Sequence, residues 1–140
     1  MLPIAALMLA GCGDGVYALP ENAPELEQVT YVNEKDKEYT YNTIIMNGRK
    51  YAAYGTMTGN FHDREVETCV GYTDGDKKQR VCTLKATGDY IMQTRLDGCV
   101  EQPLFYRATD TLGKYIYTPR YIASLDYDLW NGENAKEGDS

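Results

Sequence analysis

The chain has 140 residues and a formal net charge of −7, a length that suits one domain with a sizeable buried core. Residues 1–38 carry seven acids and two bases, residues 126–140 carry five and one, and residues 39–125 carry nine and eleven. An acidic chain whose middle has no basic stripe is not built to hold phosphate, which excludes nucleic acid as the partner; the acidic ends favour solubility and repel anionic surfaces.

Residues 2–12 are uncharged and include Leu2, Ile4, Leu7, Met8 and Leu9, with Ala10 and Gly11 directly before Cys12. This is the shape of a secretory hydrophobic region ending at a small-residue cleavage site. As a helix it covers only about 17 Å at ~1.5 Å per residue, against a hydrocarbon core of roughly 30 Å, so it does not span a bilayer. The order Leu9-Ala10-Gly11-Cys12 resembles the lipobox of bacterial lipoproteins. The resemblance implies that residues 1–11 are a signal peptide and that the Cys12 sulfur carries a diacylglyceryl group. It also implies that Cys12 becomes the mature N-terminus and holds the protein on the extracytoplasmic side of a bacterial membrane, where two acyl chains anchor firmly. The pattern departs from that family in having no Lys or Arg in residues 1–12. The competing reading makes residues 2–9 a buried strand or helix and Cys12 an ordinary thiol; the glycines at 11, 13 and 15 disfavour a packed element ending there.

Residues 12–38, with Pro20, Pro24 and many acids, read as an acidic tether after the lipidated cysteine, although Val29 and Tyr31 could form a first edge strand. From Tyr39 the pattern becomes β-rich, and residues 39–131 are expected to form the domain. Two apolar runs flank Asn47-Gly48, the strongest short-range hairpin signal, which places Met46 opposite Arg49, Ile44 opposite Tyr51 and Tyr41 opposite Tyr54. A second hairpin turns around Asp74-Gly75-Asp76. With Gly75-Asp76 as its two-residue loop, Cys69 lies opposite Cys82, Val70 opposite Val81 and Asp74 opposite Lys77. With Asp74-Gly75 as the loop, Cys69 faces Arg80; the first register has the better cross-strand pairs. Further turns at 87–89, 97–98 and 109–114 separate short apolar and aromatic runs. The expected fold is mainly β: a single antiparallel meander, small sandwich or barrel-like domain with one short C-terminal helix, an α+β arrangement being the alternative. Thr118-Pro119 starts that helix, which runs to about Leu125; Asp126–Trp130 alternates and could be a strand, and residues 132–140 form a polar tail.

Lipidation of Cys12 leaves Cys69, Cys82 and Cys99 for pairing. The favoured disulfide is Cys69–Cys82; a bridge from Cys99 to one of them, or no bridge, are the other outcomes. His62 is the only histidine. Asp63, Glu65 and Glu67 would share one face of a strand, a possible hold for a hard cation, but the plainer expectation is a solvated face and no metal. A His62–Cys99 dyad has no local signature, and no phosphate loop, paired-cysteine metal motif or nucleophile elbow occurs. No cofactor is expected, and no reaction is specified.

Thirteen tyrosines against one tryptophan and two phenylalanines are the compositional outlier. Tyrosine suits both cross-strand packing and interfaces. Residues 101–108 and 121–127 are also similar to stretches of small bacterial lipoproteins that carry no assigned activity. The function expected is a lipid-anchored extracytoplasmic domain, non-catalytic, binding a protein or saccharide partner through a tyrosine-rich surface. The alternative is a structural or envelope-accessory lipoprotein without a small ligand; a hydrolase or thiol enzyme ranks behind both.

Overall fold

The computed structural model describes residues 15–32, 40–56, 61–97, 99–100, 102–111 and 113–123. The fold is mainly β, as the residue pattern indicates. Its strands are β1 (Glu27–Val32), β2 (Thr40–Met46), β3 (Arg49–Thr56), β4 (Val66–Thr73), β5 (Asp76–Leu84), β6 (Tyr90–Asp97), β7 (Cys99–Val100) and β8 (Leu104–Ala108); a single-turn helix α1 (Arg120–Ala123) follows. The sheet order is β1-β2-β3-β8-β6-β5-β4, with β7 paired to β6. Two three-strand meanders are thus joined through β8, which comes last among the strands and inserts between β3 and β6.

Local chemistry explains the turns. Asn47 and Gly48 have φ of 54° and 79°, the left-handed pair a type I′ turn needs, and they set Met46 opposite Arg49 and Ile44 opposite Tyr51. The paired stretch ends at Thr43 and Ala52, short of the expected Tyr41 and Tyr54.

The second hairpin corrects one expectation while keeping its main consequence. Its loop is Asp74-Gly75, with φ of 62° and 66°, and Thr73 pairs with Asp76. Register shifts then intervene between Tyr72 and Thr73, between Cys69 and Gly71, and between Val66 and Thr68. The first two restore the opposition of Cys69 and Cys82 and of Thr68 and Thr83, while Val81 faces Gly71 instead of Val70. Cys69 and Cys82 are disulfide-bonded and fully buried. The Asp-Gly pair takes the tight turn because both residues tolerate positive φ, and the bulges absorb the offset.

The sheet curls until its edges meet. Leu26 N donates to Tyr72 O at 2.7 Å and Tyr72 N to Pro24 O at 3.2 Å, so the lead-in to β1 lies parallel to the end of β4. Glycine is required at that seam: a Cβ on Gly71 would stand 2.7 Å from Pro24 O and 2.9 Å from the Leu26 Cγ. Gly71→Ala is therefore expected to cost about 1–3 kcal/mol through overpacking against backbone. Gly88→Ala, whose Cβ would meet nothing within 4 Å, is the control. Equal urea midpoints for the two variants would disprove the close approach.

Both faces of the sheet are covered. One cluster contains Ile44, Tyr51, Ala53, Val81, Ile91, Tyr106 and Ala108. The other contains Tyr54, Cys69, Cys82, Tyr90, Met92 and Phe105, packed beneath Tyr17, Leu19, Phe61, Ile116, Tyr121 and Ile122. The alternation of Ala52 with Ala53, Val81 with Cys82 and Phe105 with Tyr106 assigns neighbours to opposite clusters, as a pleated strand requires.

The expected tether is corrected over residues 15–32, which belong to the domain. Tyr17 is 2% exposed; its hydroxyl donates to Asp63 Oδ1 at 3.0 Å and its carbonyl accepts from Arg80 Nη1 at 2.7 Å. β1 pairs with β2 over Glu27–Val32, the edge strand that Val29 and Tyr31 allow. Burial of Tyr17 and Leu19 and a six-residue ladder outweigh the local acidity. Residues 1–11, 33–38 and 132–140, Cys12 and the segment Asp126–Trp130 lie outside the described residues. So does the end of the expected helix, whose described part is α1.

Candidate functional site

Side chains from strands that are not neighbours meet on the concave side of the curled sheet. Asn42 on β2 donates through Nδ2 to the Tyr106 hydroxyl on β8 at 3.0 Å, although β3 separates those strands. Tyr106 donates in turn to Gln93 Oε1 on β6 at 2.8 Å. Gln93 Nε2 donates to Thr73 Oγ1 on β4 at 2.7 Å, across β5. Gln28 on β1 extends the chain outward, donating to Asn42 Oδ1 at 3.2 Å, and Gln79 on β5 reaches Asp74 Oδ2 at 3.4 Å. Every strand of the curled sheet except β3 and the short β7 contributes to this polar ring or its rim.

The ring grades from sealed to wet. Tyr106 and Thr73 are fully buried and Gln93 is 8% exposed, whereas Asn42 and Asp74 are exposed and Gln28 and Gln79 half-buried. Buried polar groups of this kind persist only when hydrogen-bonded, and the mutual bonds hold the amides in fixed orientations. Burial pushes the Tyr106 phenol up to about 12, with the Asn42 hydrogen bond opposing and the Asp74 charge adding to the rise. Beside the ring, Asp76 accepts from Lys78 N at 2.9 Å and pairs with Arg95 at 2.6 Å; the backbone donor first and the guanidinium second hold its carboxyl below its usual value.

The Tyr106 shift predicts alkaline sensitivity. A group whose folded pKa is raised contributes stability that is complete below its unfolded value, ~10 for a phenol, and is lost as pH rises through the folded value. Thermal midpoints should therefore fall between about pH 10 and 12. Tyr17 and Tyr121 are shifted upward as well, chiefly by burial, so Tyr106→Phe should flatten that fall without abolishing it. An unchanged slope in the variant would refute the buried phenol's role.

Apart from the ring, a groove of about 420 Å³ is lined by Met46, Tyr51, Glu67, Thr83, Lys85 and Ile91 among others. Thr83 donates to Glu67 at 2.9 Å on its wall. Close to it, Arg49 binds Asp89 and Asp110 at 2.8 and 2.9 Å and the Gly88 carbonyl at 3.0 Å, tying the first hairpin to the start of β6 and the end of β8.

The residues singled out from the sequence are distributed differently. His62 is exposed beside a one-turn 3-10 helix at Asp63–Glu65, so Asp63, Glu65 and Glu67 do not alternate along a strand as expected; Asp63 instead accepts from Tyr17. Among the described residues no three His, Cys, Asp or Glu side chains gather to hold a metal. Cys99 pairs through its backbone with Asp97; its side chain lies outside the described set. Of the tyrosines, Tyr17, Tyr41, Tyr51, Tyr54, Tyr90 and Tyr106 are buried, while Tyr115 and Tyr117 are 73% and 66% exposed.

Sequence reasoning missed Gln28, Asn42, Thr73, Gln79 and Gln93. Asn42 shares its strand face with Ile44 and Met46, and Gln93 shares one with Ile91; a polar side chain on an apolar face was the available signal. The arrangement can donate and accept hydrogen bonds toward neutral polar groups. Comparison of the chain with protein-family models, with curated proteins and with solved structures found no match.

Proposed function

We propose that this protein is a lipid-anchored, extracytoplasmic domain of a bacterial envelope that acts by binding, taking a saccharide at the exposed end of the polar ring. The observation that carries the binding part is the chain Gln28–Asn42–Tyr106–Gln93–Thr73. Amide side chains both donate and accept, which suits the paired hydroxyls of a sugar, and their hydrogen bonds to a buried floor reduce the ordering cost on binding. The anchor is supported by the lipobox resemblance at Leu9–Cys12, and export by the Cys69–Cys82 disulfide, since such bonds persist in oxidising compartments. A tyrosine surface for a protein partner rests, among the described tyrosines, chiefly on Tyr115 and Tyr117.

The test is an NMR titration with neutral and amino-sugar oligosaccharides, reading side-chain amides. The expected result is movement of the Asn42, Gln79 and Gln93 amide signals, with Asn42→Ala weakening binding at least about tenfold, or ~1.4 kcal/mol, at unchanged thermal midpoint. Saccharides that leave these amides still, or bind Asn42→Ala as well as wild type, would refute the site. An envelope-accessory role without a small ligand would then stand in its place.

A further inference from the structure

The outer layer of the domain combines a short leash with exposed apolar side chains. The described fold begins at Gly15, and Tyr17 is already 2% exposed against the sheet. Three Cα steps separate Cys12 from Gly15, at most about 11 Å of chain, where a tether from 12 to 38 would allow about 90 Å. A lipid on Cys12 therefore holds the domain against the bilayer, with no stalk between them.

Four large hydrophobic side chains are exposed among the described residues: Val16 at 39%, Val32 at 44%, Tyr115 at 73% and Tyr117 at 66%. Three of the four belong to segments that pack on one face of the sheet. Val16 precedes Tyr17, and Tyr115 and Tyr117 flank Ile116, where Tyr17 and Ile116 join the same outer cluster. These segments flank a common neighbour: Tyr17 bonds Asp63 at 3.0 Å, and Tyr121 meets Phe61 edge to face at 5.3 Å. Ile116 turns inward, and the Thr118 hydroxyl hydrogen-bonds the Tyr90 hydroxyl at 2.9 Å, which leaves Tyr115 and Tyr117 pointing away from the sheet. Lys114 and Arg120 beside them are exposed, and residues 113–123 contain no acid. Of the acids in the same layer, Asp63 is bonded by Tyr17 and Glu65 lies 3.9 Å from Arg64; Glu21, two positions from Leu19, is exposed. The stretch around Tyr115 and Tyr117, with its two exposed bases, thus departs from the acidity of the chain's ends.

We infer that this layer is a membrane-contact surface: Val16, Tyr115 and Tyr117 enter the headgroup region of the bilayer that holds the Cys12 lipid, with Lys114 and Arg120 beside the phosphates. The inference rests on the lipid-anchor reading. Tyrosine settles at such interfaces because its ring is apolar and its hydroxyl wet, and basic residues near anionic headgroups add attraction. The sheet stands between this surface and the polar ring, so a partner is met on the face turned from the bound layer.

The experiment uses the acylated full chain in vesicles of phosphatidylethanolamine and phosphatidylglycerol with brominated acyl chains. Tyr117→Trp and, as the control, Thr30→Trp on β1, an exposed position opposite Asn42, are each compared with wild type, which supplies the background of Trp130. The indole added by Tyr117→Trp should lose at least half its emission relative to unbrominated vesicles, and the one added by Thr30→Trp should be unaffected. Equal quenching of the two, with the Cys12 lipid confirmed by mass spectrometry, overturns the orientation and leaves the anchor standing. A Cys12 without lipid overturns both. Release of the acylated protein's indole at 117 from quenching by a second copy of the chain would instead assign the patch to self-association and likewise overturn the inference.

Discussion

Replacing Arg107 by Ala should destabilise the protein by about 3–5 kcal/mol, the range for opening a large cavity in a core while leaving buried acceptors without their donor. Arg107 is completely buried on β8. Its Nε donates to Thr111 Oγ1 at 2.9 Å, and its Nη2 donates to the carbonyls of Thr111 and Lys114 at 3.2 Å each. Its guanidinium also sits 5.9 Å from the centre of the Tyr90 ring. The side chain thus holds the segment after β8 in the path that delivers Tyr115, Tyr117 and α1 to the outer layer. Truncation leaves the Thr111 and Lys114 carbonyls without this donor and opens a cavity beside Tyr90. Arg107→Lys keeps the charge but loses the planar fork that serves two carbonyls and a hydroxyl together, so it should recover only part of the loss. Urea unfolding with an unchanged m-value checks both variants; a loss below about 1 kcal/mol for Arg107→Ala would show that the clamp contributes little.

The second large effect is expected from the disulfide. Cys69 and Cys82 are separated by 13 residues, and closing a loop of about that size contributes roughly 3 kcal/mol by restricting the unfolded chain. The pair ties β4 to β5 within the cluster under Tyr17. Reduction of the wild type, or the double replacement Cys69→Ala with Cys82→Ala, should lower the thermal midpoint by roughly 10 °C, taking ~3–4 °C per kcal/mol for a chain of this length. Reductant should have no further effect on the double variant. If reductant still lowers its midpoint, Cys99 is bridged to Cys12, which would then carry no lipid, or to a second copy of the chain, and mass mapping would identify which.

These two sites differ in how far the residues alone reveal them. The cysteine pairing was readable, because strands of a tight hairpin bring near-symmetric positions together. It was reached through the wrong loop: Asp74-Gly75 turns the chain, and two register shifts supply the offset that the expected loop would have provided directly. Arg107 gave no such signal, since a lone arginine in an apolar run reads as a strand edge until Thr111 and Lys114 fold back over it. The polar ring was hidden for a related reason. Asn42 and Tyr106 are 64 positions apart, and they meet only because β8 enters between β3 and β6 and the sheet then curls.

What the chain determines by itself is local: the hairpin at Asn47-Gly48, the run of short strands and the start of α1 after Pro119. Each depends on allowed φ values, side-chain alternation or a contiguous motif, so a few neighbouring residues suffice. The tertiary structure alone decided that residues 15–32 pack into the domain, that Gly71 lies under the seam, and that amides from separate strands converge in one hydrogen-bonded ring. Those features depend on strand order and sheet curvature, which arise from the sum of long-range burial and leave no mark on any single segment.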